Sequence, residues 1–153
     1  MGRMKIFTLV LFLVSFIFVA SKVQAENNLA NYGVGQIEEG VLHVSAVEAS
    51  ALIDRYDDIV ILDVRTAKEH AEGKIRESIN IDYYADNFSS QLAELSKDAV
   101  YIVHCRSGVR SGRSLAIMSE LGFKDVIHLD GGILAWQSFN RVRGLNSPRL
   151  ATE

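Results

Sequence analysis

The chain has one cysteine, one proline and one tryptophan in 153 residues. A single cysteine excludes an internal disulfide framework, so the fold has to be held by an apolar core. The lone proline, Pro148, stands near the C-terminus and punctuates nothing in the body of the chain. No internal repeat and no low-complexity segment is present. His43, His70, His104 and His128 lack metal-ligand spacing in sequence. Neither a Ser-His-Asp elbow nor a phosphate-binding glycine loop is found. No metal-binding or cofactor-binding motif stands out.

The apolar residues, 48% of the chain, are concentrated first at the N-terminus. Arg3 and Lys5 precede an apolar run from Ile6 to Ala20, and Val23-Gln24-Ala25 offers small residues where a signal peptidase reads. This pattern predicts a secretory signal peptide over residues 1–25, cleaved after Ala25. A transmembrane anchor is the competing reading, but the run falls short of the ~18 apolar residues a span requires. No Arg-Arg pair precedes the run and no cysteine follows it, which argues against twin-arginine export and a lipoprotein anchor. The expected product is periplasmic or secreted, with no stable membrane anchor after cleavage.

Cleavage removes Arg3, Lys5 and Lys22 and no acidic residue, taking the formal charge from −3 to −6. An acidic domain does not suggest nucleic acid or an anionic membrane surface as a partner. In an oxidising compartment the single cysteine is either buried and silent or a free reactive thiol.

Residues 26–40 read as a polar lead-in without clear periodicity, 41–145 as one domain and 146–153 as a tail. Val41 to Val44 suits a short strand. Ser45 and Glu48 have capping-box spacing ahead of an apolar face at Ala49, Leu52 and Ile53, which predicts a helix from Ala46 to Arg55. Ile59 to Val64 reads as a buried strand, and Thr66 with Glu69 repeats the capping box before a short helix ending near Gly73. Ser78 to Ile81 suits a third strand, followed by a helix with Phe88, Leu92 and Leu95 on its buried side. Tyr83 and Tyr84 between them read as packing residues, with a pocket rim as the alternative. Val126 to Leu129 is the last strand. Asp130-Gly131-Gly132 then turns into a helix carrying Ile133, Trp136 and Phe139. Strands alternating with helices predict an α/β fold: an open parallel sheet of about five short strands with helices on both faces. Ligands of such sheets bind at the carboxyl ends of the strands.

One stretch places chemistry at that edge. Val100 to Val103 suits a buried strand, and Leu115, Met118 and Leu121 ahead of Gly122 suit an amphipathic helix. Cys105 therefore lies between a strand end and a helix start, in the run His104-Cys105-Arg106-Ser107-Gly108-Val109-Arg110-Ser111. The helix N-terminus, Arg106, Arg110 and the N-H groups of the loop all favour thiolate over thiol. Gly108 has no Cβ to obstruct backbone approach to a ligand. The competing reading is a small buried hydrophobe without chemistry. His104 neighbours Cys105 on the strand and so points to the opposite face, as a packed core residue. Arg65 and Glu69 are expected to form an ion pair bracing strand end to helix, with direct substrate contact the less favoured role. Asp63 is a candidate for orienting the Cys105 loop.

Cys105-Arg106-Ser107-Gly108-Val109-Arg110 resembles the active-site loop of the rhodanese family of sulfurtransferases. Three more segments agree in order: Asp63 to His70, Gly73 to Ile81, and Leu129 to Trp136. The resemblance spans Val41 to Phe139. Phosphatase and arsenate-reductase relatives of this fold have a loop one residue longer, closed by an arginine. That position is Ser111 in this chain. The family's second segment usually carries a proline after its isoleucine; here it is Arg76, which touches a turn and not the sulfur site.

The resemblance implies a rhodanese-type thiosulfate sulfurtransferase with Cys105 as catalytic nucleophile. Arg106, Ser107, Gly108, Val109 and Arg110 form the substrate-binding loop. Cys105 takes a sulfane sulfur from a small sulfur-containing anion such as thiosulfate, holds it as a persulfide, and passes it to cyanide or a protein thiol. The mechanism implied by the resemblance requires no metal and no organic cofactor. Two alternatives stand beside this reading: a sulfur-carrier or binding module that does not turn over and serves a protein partner, and, less favoured, an enzyme of the phosphatase or arsenate-reductase type.

Overall fold

Residues 29–143 are described in the computed structural model of the chain. The expected signal peptide and the tail at 146–153 lie outside the described residues. Six strands form one sheet: β1 Gln36–Glu38, β2 Val41–Val44, β3 Val60–Asp63, β4 Ile79–Asn80, β5 Val100–His104 and β6 Asp125–Leu129. Five helices accompany them: α1 Ala46–Arg55, α2 Ala67–Ala71, α3 Phe88–Glu94, α4 Val109–Glu120 and α5 Gly132–Val142. The strand order is β1-β2-β6-β5-β3-β4. β1 pairs with β2 antiparallel, and every other pair is parallel.

Side chains of successive strand residues point to opposite faces, so β3, β5 and β6 each feed two cores. Leu42, Val44, Ile61, Ile102, Ile127 and Leu129 face Ala49 and Leu52 of α1 and Ile133 and Trp136 of α5. Leu62, Tyr101, Val103 and Val126 face Phe88 and Leu92 of α3 and Met118 of α4. Burying each large apolar side chain stabilises the fold by ~1.5–3 kcal/mol, so the two layers replace the covalent staples the chain lacks.

Local signals start the helices where expected. Ser45 caps α1 and Thr66 caps α2, each in a complete capping box, with Glu48 and Glu69 returning a hydrogen bond to the cap backbone.

The expected sheet of about five parallel strands becomes a mixed sheet of six. The added strand, β1, falls within the stretch read as a polar lead-in, and that stretch is also anchored by Leu29, which is fully buried. All three β1 residues are exposed, so the strand carries no apolar alternation to reveal it.

Candidate active site

β5 ends at His104, and the chain then turns through Cys105 to Ser107 into α4, whose N-cap is Gly108. Gly108 has φ +95°, a left-handed conformation that a side chain would strain. Cys105 is 1% exposed at the bottom of this turn. Its Sγ accepts the Gly108 N–H at 3.2 Å and lies 3.6 Å from Ser111 Oγ. Burial pushes the Cys105 thiol up, but the N–H and hydroxyl of Ser111 and the N–H groups of Ser107 and Gly108 outweigh it and hold the thiol below its ordinary value. The loop and the first turn of α4 thus form an anion cradle closed around one sulfur.

The cradle is pinned from behind by α5. Ile133 N–H donates to Cys105 O at 2.9 Å and Leu134 N–H to Arg106 O at 3.1 Å. The loop carbonyls are thereby turned toward α5 and away from the sulfur. Gly132 permits this contact. It sits at φ +58°, and a Cβ there would lie 2.5 Å from the Cys105 carbonyl oxygen.

The loop residues divide by exposure. Arg106, Ser107 and Val109 are exposed at the rim, whereas Gly108 and Arg110 are half-buried. Arg106 makes no ion pair among the described residues. Arg110 is committed elsewhere: its two terminal nitrogens each lie 2.7 Å from a carboxylate oxygen of Glu69 on α2. Its guanidinium also sits 5.5 Å from the ring centroid of Tyr84. Arg106 is thus exposed at the rim beside the cradle, while Glu69 neutralises Arg110.

The expected Arg65–Glu69 ion pair is not formed. Arg65 is 5% exposed and binds the fully buried Asp63, donating to it from its backbone N–H and from Nε, both at 2.9 Å to Oδ1. Arg65 reaches Glu69 only at its backbone, with Nη1 3.0 Å from the carbonyl oxygen. Two residues apart at a strand end, Asp63 and Arg65 close a short ring, leaving the Glu69 side chain to Arg110. Asp63 also accepts from His70 Nδ1 at 3.0 Å. With Arg65 and His70 as partners it braces the β3–α2 turn, and its Oδ2 also lies 3.8 Å from Nε2 of His104, the residue before Cys105. Burial pushes Asp63 up, and the Arg65 hydrogen bonds reverse this and hold it low.

His104 is fully buried beneath the loop, with Nδ1 3.2 Å from the Cys105 carbonyl oxygen, as a packed core residue. Burial keeps its pKa low. Tyr83 packs on Phe88 at 5.2 Å between ring centroids, and Tyr84 is 67% exposed beside Arg110.

Spacing in sequence shows no metal-ligand set, yet the fold gathers three such groups. His43, His128 and Asp130 converge one residue beyond the cradle, where His128 Nε2 lies 2.9 Å from Ser111 Oγ. Their separation along the chain hides them, because β2 and β6 become neighbours only in the folded sheet.

Known proteins share this arrangement of segments. The profile of the rhodanese-like domain family matches residues 45–139. A sulfurtransferase of Allochromatium vinosum is 30% identical over 96 residues, covering 61% of this chain and 88% of that protein. A tRNA uridine(34) hydroxylase of Cytophaga hutchinsonii is 35% identical over 98 residues, and this chain spans only 31% of its length. Among solved structures, a rhodanese-related protein of Thermoplasma volcanium superposes with TM-score 0.60 at 27% identity, covering 72% of this chain and 98% of that one. With the profile matched over more than half its length, the chain belongs to the rhodanese-like domain family.

Proposed function

We propose that this protein is an exported sulfurtransferase working through a persulfide on Cys105. The observation that carries the reading is the cradle: a buried sulfur at the N-terminus of α4, accepting the Gly108 N–H, with its thiol held below the ordinary value. The Cys105 thiolate attacks the outer sulfur of a donor such as thiosulfate; the S–S bond of the donor breaks, and sulfite leaves with the bonding electron pair. The terminal sulfur of the resulting persulfide carries the negative charge into the space bounded by the loop N–H groups. A thiophilic acceptor, cyanide or a protein thiol, then takes that sulfur and restores the thiolate. Export rests on the N-terminal sequence pattern.

Arg106 at the rim meets the anionic donor, and the paired Arg110 contributes little net charge. That neutralisation favours a second reading, in which the donor or acceptor is a protein and Cys105 serves as a carrier. A phosphatase-type reaction gains no support, since Arg110 turns to Glu69 and no arginine closes over the loop. The tRNA uridine(34) hydroxylases share this stretch over less than half their length, and a net charge of −3 offers no overall attraction for RNA.

Thiocyanate release from thiosulfate and cyanide, compared with sulfur transfer to a thiol acceptor, tests the assignment. The enzyme reading expects multiple turnovers that vanish in Cys105→Ser. A single stoichiometric transfer without turnover favours the carrier, and transfer that survives Cys105→Ser refutes both.

A further inference from the structure

His43 and His128 are opposite partners in the parallel pairing of β2 with β6. Their neighbours Leu42, Val44, Ile127 and Leu129 all face the α1–α5 core, so the two imidazoles share the other face of the sheet. Asp130 follows directly on β6, fixed by its N–H to the Val44 carbonyl at 2.9 Å. Its Oδ1 lies 3.0 Å from His43 Nδ1 and 2.9 Å from His128 Nδ1, and the two Nδ1 atoms are 3.4 Å apart. The edges of this triangle approach the ~3.3 Å between ligand atoms of a tetrahedral ion with bonds of ~2.0 Å.

The far side of the His128 ring is a second, independent observation. Nε2 lies 3.3 Å from the Gly108 carbonyl oxygen and 2.9 Å from Ser111 Oγ. A neutral imidazole has one N–H and one bare nitrogen. Here Nε2 faces the Gly108 carbonyl, an acceptor only, and the Ser111 hydroxyl, which donates or accepts, while Nδ1 faces a carboxylate, an acceptor only. With hydrogen on Nδ1, Nε2 accepts the Ser111 O–H, which then turns away from Cys105 Sγ. With hydrogen on Nε2, the bare Nδ1 faces a carboxylate oxygen and a second imidazole nitrogen. A cation at Nδ1 selects this second arrangement and turns the contact with the carboxylate into coordination, and Nε2–H then makes the outer hydrogen bond that metal-bound imidazoles make.

We propose that His43 Nδ1, His128 Nδ1 and Asp130 Oδ1 form a binding site for one divalent transition-metal ion of the zinc class. Two imidazoles and one carboxylate suit zinc, cobalt, nickel or copper, and not the all-oxygen preference of magnesium or calcium. Entry is open, since the Asp130 and His43 side chains are 55% and 24% exposed. Three protein ligands leave a further position for water or an anion. That position belongs to the surface groove lined by His43, Ser45, Glu48 and Asp130. The site does not depend on the sulfurtransferase reading, but it reaches Cys105. Coordination fixes the hydrogen on His128 Nε2, so Ser111 accepts from His128 and its own O–H is free to point at Cys105 Sγ.

The test uses untagged protein carrying Cys105→Ser, which removes the thiolate as a competing ligand. The protein is stripped with chelator, then titrated with zinc in a calorimeter and with cobalt(II) in a spectrophotometer. One equivalent of zinc is expected, with cobalt d–d bands of a tetrahedral or five-coordinate site. His43→Ala and Asp130→Ala, added singly, are expected to weaken binding by ~100-fold or more, beyond the ~10–100-fold typical of outer-shell losses. Both side chains are partly exposed, and circular dichroism confirms that each variant folds; Asp130→Asn replaces Asp130→Ala if the latter does not. Absence of stoichiometric zinc binding, or binding that the folded variants retain, overturns the proposal.

Discussion

Glu69 and Arg110, 41 residues apart, form a two-point ion pair in which each carboxylate oxygen is 2.7 Å from a guanidinium nitrogen. The pair ties α2 to the first turn of α4, beside the loop that carries Cys105. It fixes the first turn of α4 while withdrawing half of the loop's positive charge. Glu69 also accepts the Thr66 N–H at 3.0 Å, so one carboxylate serves both the cap of α2 and the docking of α4.

Glu69→Gln separates these roles, because glutamine retains capping-box geometry but not the charge. Freeing the Arg110 charge is expected to lower the KM for thiosulfate by about 2- to 5-fold, the range of a partly screened charge pair, with kcat little changed. An unchanged or raised KM would show that Arg110 takes no part in holding the donor.

Arg110 holds Glu69 down to about 2. A carboxylate depressed on folding adds stability that is present above its unfolded value and lost as pH falls through the folded one. The wild type is therefore expected to lose stability relative to Glu69→Gln between about pH 5 and pH 2. Denaturant midpoints for the two proteins across that window check this, and parallel curves would contradict it.

Ser111→Ala removes the hydroxyl 3.6 Å from Cys105 Sγ but keeps the backbone N–H groups. The Cys105 pKa is expected to rise, because one hydrogen bond to the charged sulfur is lost. The pH dependence of alkylation by iodoacetamide reads it directly, and an unmoved profile would assign the thiolate to the backbone alone.

Asp63→Asn leaves Arg65 as a charge that is 5% exposed and without its counter-ion. The expected loss is about 3–5 kcal/mol, as for other broken buried pairs. A loss under about 1 kcal/mol would mean that the β3–α2 turn is held by other contacts.

Features encoded within a few residues were legible in sequence. The capping boxes at Ser45 and Thr66, the strand ahead of Cys105 and the glycine turn into α5 each rest on neighbours along the chain. The partner of Glu69 was not legible, because Arg65 and Arg110 offer the same guanidinium, and only the burial of Asp63 decides between them. The His43–His128–Asp130 cluster was hidden for a related reason, since its members meet through β2–β6 pairing. β1 has no sequence signature, because an exposed edge strand has no apolar face to reveal it.

Gly132 is where the sequence motif and the site geometry meet, since a Cβ at that position would lie 2.8 Å or less from the backbone of Cys105 and Arg106. Gly132→Ala is expected to cost about 1–3 kcal/mol through backbone strain alone and to slow persulfide formation by displacing the loop. Wild-type rates in a destabilised variant would show that α5 supports the loop without positioning it.

Persulfide chemistry at Cys105 requires that this residue accept and release one sulfur. Intact mass spectrometry after thiosulfate, and again after cyanide, tests it most directly in the wild type and in Cys105→Ser. The wild type alone is expected to gain the mass of one sulfur and to return to its starting mass with cyanide. A wild type that gains no sulfur from thiosulfate, polysulfide or a persulfide donor would contradict it, as would a Cys105→Ser protein that gains the same mass.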